Sequence, residues 1–109
     1  MTMTPTTDLT SLMQVIGDGF PFTQEKYPNG DLSTPEKTLA FAVRHSSAHI
    51  AKTGGIIAAQ AENYDHGGEL DPEALRMATT KMLVNTLNLA NALGMTAQDL
   101  VSLVPSAMR

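Results

Sequence analysis

Apolar positions recur along most of this chain at intervals of three and four residues, the spacing that gathers side chains on one face of a helix. The clearest run is Leu75, Ala78, Met82, Leu83, Thr86, Leu87, Leu89, Ala90 and Leu93. No segment sustains the period-two alternation of a half-buried strand. Helix starts are marked by a recurring grammar. Thr34-Pro35-Glu36 and Asp71-Pro72-Glu73 each offer an N-cap oxygen, a proline in the first turn and a carboxylate beside it. Thr96-Ala97-Gln98-Asp99 resembles a capping box with Asp in place of Glu.

These signals predict four or five helices. One runs over 8–16, capped by Asp8 or Thr7. A long one starts at Pro35 and reaches about Thr53, where Gly54-Gly55 breaks or kinks it. Ile56 to about Tyr64 continues it, and His66-Gly67-Gly68 ends it. A second long helix spans 72–93 and stops at Gly94, which is suited to a C-terminal cap. A short one covers 97–104 and ends at Pro105. Between the first two, residues 17–31 hold three glycines and two prolines, with Phe20, Phe22 and Tyr27 among them. That stretch reads as an ordered loop pinned by its aromatics. The expected fold is a single all-α domain over 1–109, with an N-terminal helix and ordered loop over 1–34 and a helical core over 35–104. Two long antiparallel helices leave more apolar surface than the short ones can hide, so the bundle is expected to be completed by a homodimer or a higher homo-oligomer.

Composition narrows the classes. With 109 residues, 42% hydrophobic and 17% charged, the chain can bury one modest core, and intrinsic disorder is not expected. No run approaches the roughly 20 apolar residues of a membrane span. The first ten residues lack the basic and apolar blocks of a secretory signal, and a cytoplasmic location is expected. The absence of cysteine removes disulfides, thiolate metal sites and thiol nucleophiles. A net charge of -4 offers no electrostatic footprint for nucleic acid.

The placement of carboxylates says most about chemistry. None occurs from Lys37 to Ala61 or from Ala74 to Gln98, so the centres of both long helices carry no Asp or Glu. A magnesium site in the middle of such a bundle requires inward carboxylate oxygens, which these helices do not supply. His45 and His49 stand at i and i+4 on one helix face, half of a two-histidine metal site, yet H-E-x-x-H is absent. They are expected on the flank of the apolar stripe. The turn from Glu62 to Glu73 is acidic but lacks the spacing of a calcium loop, and reads as a solvated turn. Ser46 and Ser47 near His49 have no neighbouring carboxylate to orient an imidazole, and Lys52-Thr53-Gly54-Gly55 lacks the order of a phosphate loop.

Residues Leu83 to Leu100, LVNTLNLANALGMTAQDL, resemble the third helix and following turn of the MazG-type all-α nucleoside-triphosphate pyrophosphohydrolases, where the stretch reads roughly D-x-L-x-x-L-x-x-L-A-x-x-L-G. His49-Ile50-Ala51-Lys52 falls where that family has an E-L-A-K-like stretch, and the resemblance in helix order covers Thr34 to Val104. It implies a MazG-like bundle. The family holds magnesium with E-x-x-E on one long helix and E-x-x-D on the next. Position by position, these fall here on Ser46 and His49, then on Ala78 and Lys81, none of which is a carboxylate. The resemblance therefore implies a scaffold that has lost its metal site, with no catalytic residue and no cofactor. Ser46, His49, Lys81, Asn85 and His45 would line the former cleft. The expected function is a non-catalytic nucleotide- or phosphometabolite-binding or regulatory protein. Two alternatives stand beside it. One is an active, magnesium-dependent pyrophosphohydrolase using the helix-end pair Glu62 and Asp65, itself an E-x-x-D. The other is a purely structural helical interaction module.

Overall fold

The computed structural model describes residues 7–109, so most of the stretch read for a secretory signal lies outside the described residues. Four helices follow one another: α1 (Leu9–Gly19), α2 (Pro35–Asp65), α3 (Pro72–Ala92) and α4 (Ala97–Ala107). No strand occurs among the described residues. The chain is all-helical, as its apolar period predicts.

Each helix starts where its cap chemistry places it. Asp8 accepts from the Thr10 N–H, Thr34 from the Lys37 N–H, and Asp71 from both Glu73 and Ala74. Thr96 and Asp99 form a reciprocal capping box. Each such cap stabilises its helix by about 1 kcal/mol. The ends of the two long helices are equally well defined. The Gly68 and Gly67 N–H groups donate back to the Asn63 and Tyr64 carbonyls, and those of Met95 and Gly94 to Ala90 and Asn91. This paired reversal needs a left-handed residue, supplied by Gly67 at φ 91° and Gly94 at φ 73°.

Three boundaries differ from the sequence expectation. α1 continues past Ile16 to Gly19. α4 continues through Pro105 to Ala107; the proline sits in the last turns, where few intrahelical bonds remain to be lost. Most telling, Gly54-Gly55 neither breaks nor divides α2, which is one helix of 31 residues. Neither glycine has positive φ, and the helix continues across them. Two interior glycines cost about 1 kcal/mol each against alanine, too little to interrupt a helix anchored over so long a contact.

The long helices pair antiparallel, and α3 lies at the centre of the arrangement. On one side it packs along α2, on the other against α1, which in turn meets α4; α2 touches no other helix. The main core lies on the α1 side. Met13 and Ile16 bury against Leu87 and Ala90, with Leu12, Val84, Met95 and Leu100 packed around them. Each large side chain removed from water there contributes about 1.5–3 kcal/mol. The α2–α3 seam is chemically different, since its buried residues are Ala42, Ser46, Thr53 and Ala78. Small side chains let the two helix backbones approach closely, and the Thr53 hydroxyl donates to the His49 carbonyl at 2.8 Å rather than remaining unpaired.

Candidate functional site

A cavity of about 530 Å³ opens where the aromatic loop meets the α2–α3 pair. His45 and His49 reach it from α2, while Lys81, Val84, Asn85 and Asn88 reach it from α3. Phe20, Lys26 and Tyr27 close it from the loop. Helical spacing explains the first two sets. Positions 45 and 49, and positions 81, 85 and 88, each share one face at i, i+4 and i+7.

One side chain folds the loop back on itself. Gln24 donates through Nε2 to the carbonyls of Tyr27 (3.1 Å) and Gly30 (2.7 Å), and its Oε1 accepts from the Leu32 N–H (3.0 Å). One amide thereby satisfies three backbone groups and folds the segment back on itself. At the loop's end Asp31 accepts from the Ser33 hydroxyl at 2.6 Å and pairs with Lys37 at 3.0 Å. The Ser33 hydroxyl first, and Lys37 second, hold this carboxyl down at about 2.

The folded loop lays its rings on α2. Phe41 stacks on His45 with centroids 5.4 Å apart, and Tyr27 meets both rings at 4.9 Å, while Phe22 approaches His45 edge-on at 6.2 Å. His45 is thus the hub of an aromatic cluster, and burial there lowers its pKa, helped by the charge of His49 beside it. The two imidazoles lie 4.5 Å apart. Burial likewise raises the Tyr27 phenol. Lys26 lies over the Phe20 ring, 5.7 Å from its centroid. Asn88, nearly buried, donates to the Phe20 carbonyl at 3.1 Å and ties the loop to α3.

The charge pattern of this cavity is one-sided. Two lysines and two histidines line it, with two amides and no carboxylate, although the chain as a whole carries net charge -4. Among the described residues the ion pairs are Lys37–Asp31 and Arg76–Glu73, so neither cavity lysine is neutralised by a salt bridge. Chemically, such a site suits an anion with a flat apolar portion. It does not suit a divalent cation, which needs oxygen ligands.

Of the residues singled out from sequence, His45, His49, Lys81 and Asn85 meet at this cavity. Ser46 does not line it. Its side chain turns into the α2–α3 seam and is 1% exposed, because position 46 lies about 100° round the helix from position 45. Ala78 is buried in the same seam. Glu62 and Asp65 stand at the far end of α2, some 20 Å along the axis from His49 at 1.5 Å per residue, and both are exposed. No group of three or more His, Cys, Asp or Glu residues suited to a metal ion occurs among the described residues. Sequence reasoning did not reach Phe20, Lys26, Tyr27 or Asn88 as site residues. Asn88 carried a signal, since it continues the Lys81–Asn85 face by one turn. Among the described residues no helix is long and apolar enough to cross a membrane. Comparison with protein-family models, with curated proteins and with solved structures finds no match to this chain.

Proposed function

We propose that this protein binds, without transforming it, a small organic anion that carries a planar ring, with a nucleoside phosphate as the type. The observation that carries the reading is the composition of the cavity: Lys26, Lys81, His45 and His49 beside the Tyr27 and Phe20 rings, with no carboxylate among the lining residues. A phosphate is matched by the lysine ammonium groups and the His49 imidazole through charge-assisted hydrogen bonds. A base or similar ring is matched by the aromatic wall, and the Asn85 and Asn88 amides supply neutral donors and acceptors for its edge. The likeness of Leu83 to Leu100 to a MazG-type helix supports nucleotides over other ring-bearing anions. Under that resemblance, His49 and Lys81 stand where metal-binding carboxylates would be, which favours direct contact with the anion over a magnesium bridge. Nucleotides are intracellular, so the reading carries a cytoplasmic location with it.

Thermal unfolding in the presence of a chelator tests this. Adenosine and guanosine monophosphates and triphosphates are compared with the free nucleosides and with inorganic phosphate. A ligand at 100 times its Kd stabilises the fold by about 2.7 kcal/mol. The expected result is stabilisation by at least one nucleotide, weaker effects of its nucleoside and of phosphate alone, and loss of the effect in Lys81→Ala. If no nucleotide or phosphorylated metabolite shifts the transition at millimolar concentration, the binding function is wrong. Magnesium-dependent release of pyrophosphate, abolished by Glu62→Gln, would replace it with the enzymatic reading.

A further inference from the structure

We infer that a second cavity, which shares Phe20 and Asn88 with the cationic one, binds an uncharged planar ring carrying an amide or an equivalent N–H and C=O pair. The inference is independent of what the cationic cavity holds.

The second cavity measures about 540 Å³ and lies where both ends of the aromatic loop meet α2 and α3. Small-molecule sites run from roughly 300 to 1,000 Å³. Helical spacing builds two of its walls. Asn88, Asn91 and Ala92 share one face of α3 at i, i+3 and i+4, while Thr34, Thr38 and Leu39 come from the capped start of α2. The loop supplies the rest, with Phe20, Pro21 and Phe22 from its beginning and Leu32 and Ser33 from its end.

Charge separates the two cavities. Lys26, Lys81, His45 and His49 line the first, whereas no Lys, Arg, His, Asp or Glu among the described residues lines the second. A charged ligand would leave water there without a counter-charge, at a cost that a neutral ligand avoids. Phe20 and Phe22, with Leu39 at 40% exposure, offer ring and aliphatic surface to a flat apolar body.

Hydrogen-bonding capacity is left over in this lining. The Asn88 and Asn91 amides donate to the Phe20 and Met13 carbonyls at 3.1 and 2.9 Å, while their Oδ1 atoms accept no bond from the described residues. No sealed side-chain oxygen or nitrogen lacks a partner among those residues, so both Oδ1 atoms reach open space. Asn88 is only 7% exposed and lines both cavities, so its oxygen opens there. The Thr34 hydroxyl accepts from the Lys37 N–H at 3.1 Å and keeps its own proton to donate. An amide-bearing ring meets both needs, its N–H groups taken by the asparagine oxygens and its carbonyl by the threonine. A plain hydrocarbon ring would cover these groups without pairing them.

Nuclear magnetic resonance titration of the full chain is the test. The probes are nicotinamide, benzamide and uracil, each beside its anionic counterpart nicotinate, benzoate or orotate. At least one neutral ring should shift the methyl signals of Leu32, Thr38 and Leu39 saturably, and its counterpart should bind there about tenfold more weakly. Two wall variants should each weaken the neutral ring by about tenfold or more. Leu39→Arg puts a charge at an exposed position, and Ala92→Phe fills the cavity; a retained helical circular dichroism signal shows that each still folds. Lys81→Ala, in the cationic cavity, should leave the binding unchanged. The proposal is overturned if no neutral ring gives a saturable shift at millimolar concentration or if the anionic counterpart binds there as tightly. Binding that survives both wall variants, or that is lost in Lys81→Ala, overturns it as well.

Discussion

The Asn88 side chain donates to the backbone carbonyl of Phe20 at 3.1 Å, joining positions 68 residues apart in sequence. A parallel bond runs from the Asn91 amide to the Met13 carbonyl at 2.9 Å. Two asparagines one turn apart on α3 thus fasten both α1 and the start of the aromatic loop. Because Asn88 is nearly buried, its bond is made where water does not compete.

Replacing Asn88 with alanine removes this tie and leaves the Phe20 carbonyl without its partner. The fold should lose about 1–2 kcal/mol, and ligand stabilisation should fall further because Phe20 and Lys26 lose their fixed positions. Chemical denaturation measures the first effect and ligand titration the second. An unchanged midpoint would remove the structural role assigned to Asn88.

Glycine-to-alanine exchange should have opposite signs at two positions. A Cβ at Gly30 would stand 2.8 Å from Cε2 of Phe41 and 3.1 Å from Cδ1 of Leu32, so the ring or the loop must shift and disturb the cluster with Tyr27 and His45. Gly30→Ala should cost about 1–3 kcal/mol and alter the ring-current shifts of His45. A Cβ at Gly55 meets nothing within 4 Å, and the position is helical with negative φ. Gly55→Ala should stabilise by about 0.5–1 kcal/mol. Denaturation of the pair of variants checks both signs together.

Asp31 at the end of the loop and His45 on α2 should act in separate pH windows. His45 has its pKa lowered from 6.5, chiefly by burial and then by His49. The unfolded chain therefore binds this proton first as pH falls. The contribution of neutral His45 is fully present above 6.5 and is lost as pH drops from there toward the folded-state value. Asp31 sits at about 2 against an ordinary 3.8, so its contribution is fully present above 3.8 and is lost as pH falls through 2. Nuclear magnetic resonance titration of the imidazoles should show His45 below 6.5. His49→Gln should raise it only in part, since the larger cause, burial, remains.

Anion binding should run against stability over the first of these windows. Lowering pH from 7.5 to 6 moves His45 toward its charged form beside Lys26 and Lys81, with no lining carboxylate to offset it. Phosphate affinity should rise as the empty fold weakens. Calorimetry at both pH values separates the two trends, and an affinity that is flat or falls on acidification removes His45 from the ligand contact.

What the sequence could and could not disclose follows the range of each interaction. Asp8, Thr34, Asp71 and Thr96 act on N–H groups two or three residues away, so their roles are legible in short words of sequence. Gly67 and Gly94 are legible for the same reason. Gly54-Gly55 misleads because a glycine pair is a local breaker whose effect is outweighed by contacts with α3, which no local word reveals. At the site, the helical period places His45 beside His49 and Lys81 beside Asn85. It leaves the facing of the two helices to be inferred, and an offset of one residue turns Ser46 into the seam. Phe20, Lys26 and Tyr27 were out of reach because their positions depend on Gln24 bonding across to Gly30 and Leu32. Nothing in the composition of the loop announces that clamp.

The solitary attachment of α2 gives the molecule a hierarchy of opening. α1, α3 and α4 share the Met13–Leu87 core, while α2 is held by α3 and by the rings of the loop. Partial unfolding that frees α2 spares the other three helices, so its amides should exchange with deuterium at a lower free energy than those of α3 around Leu87. The cavity has walls on both sides of that seam and exists only while the seam is shut. A bound ligand therefore acts as a bolt across the weakest joint, and its grip should slow exchange along α2 well beyond the residues it touches.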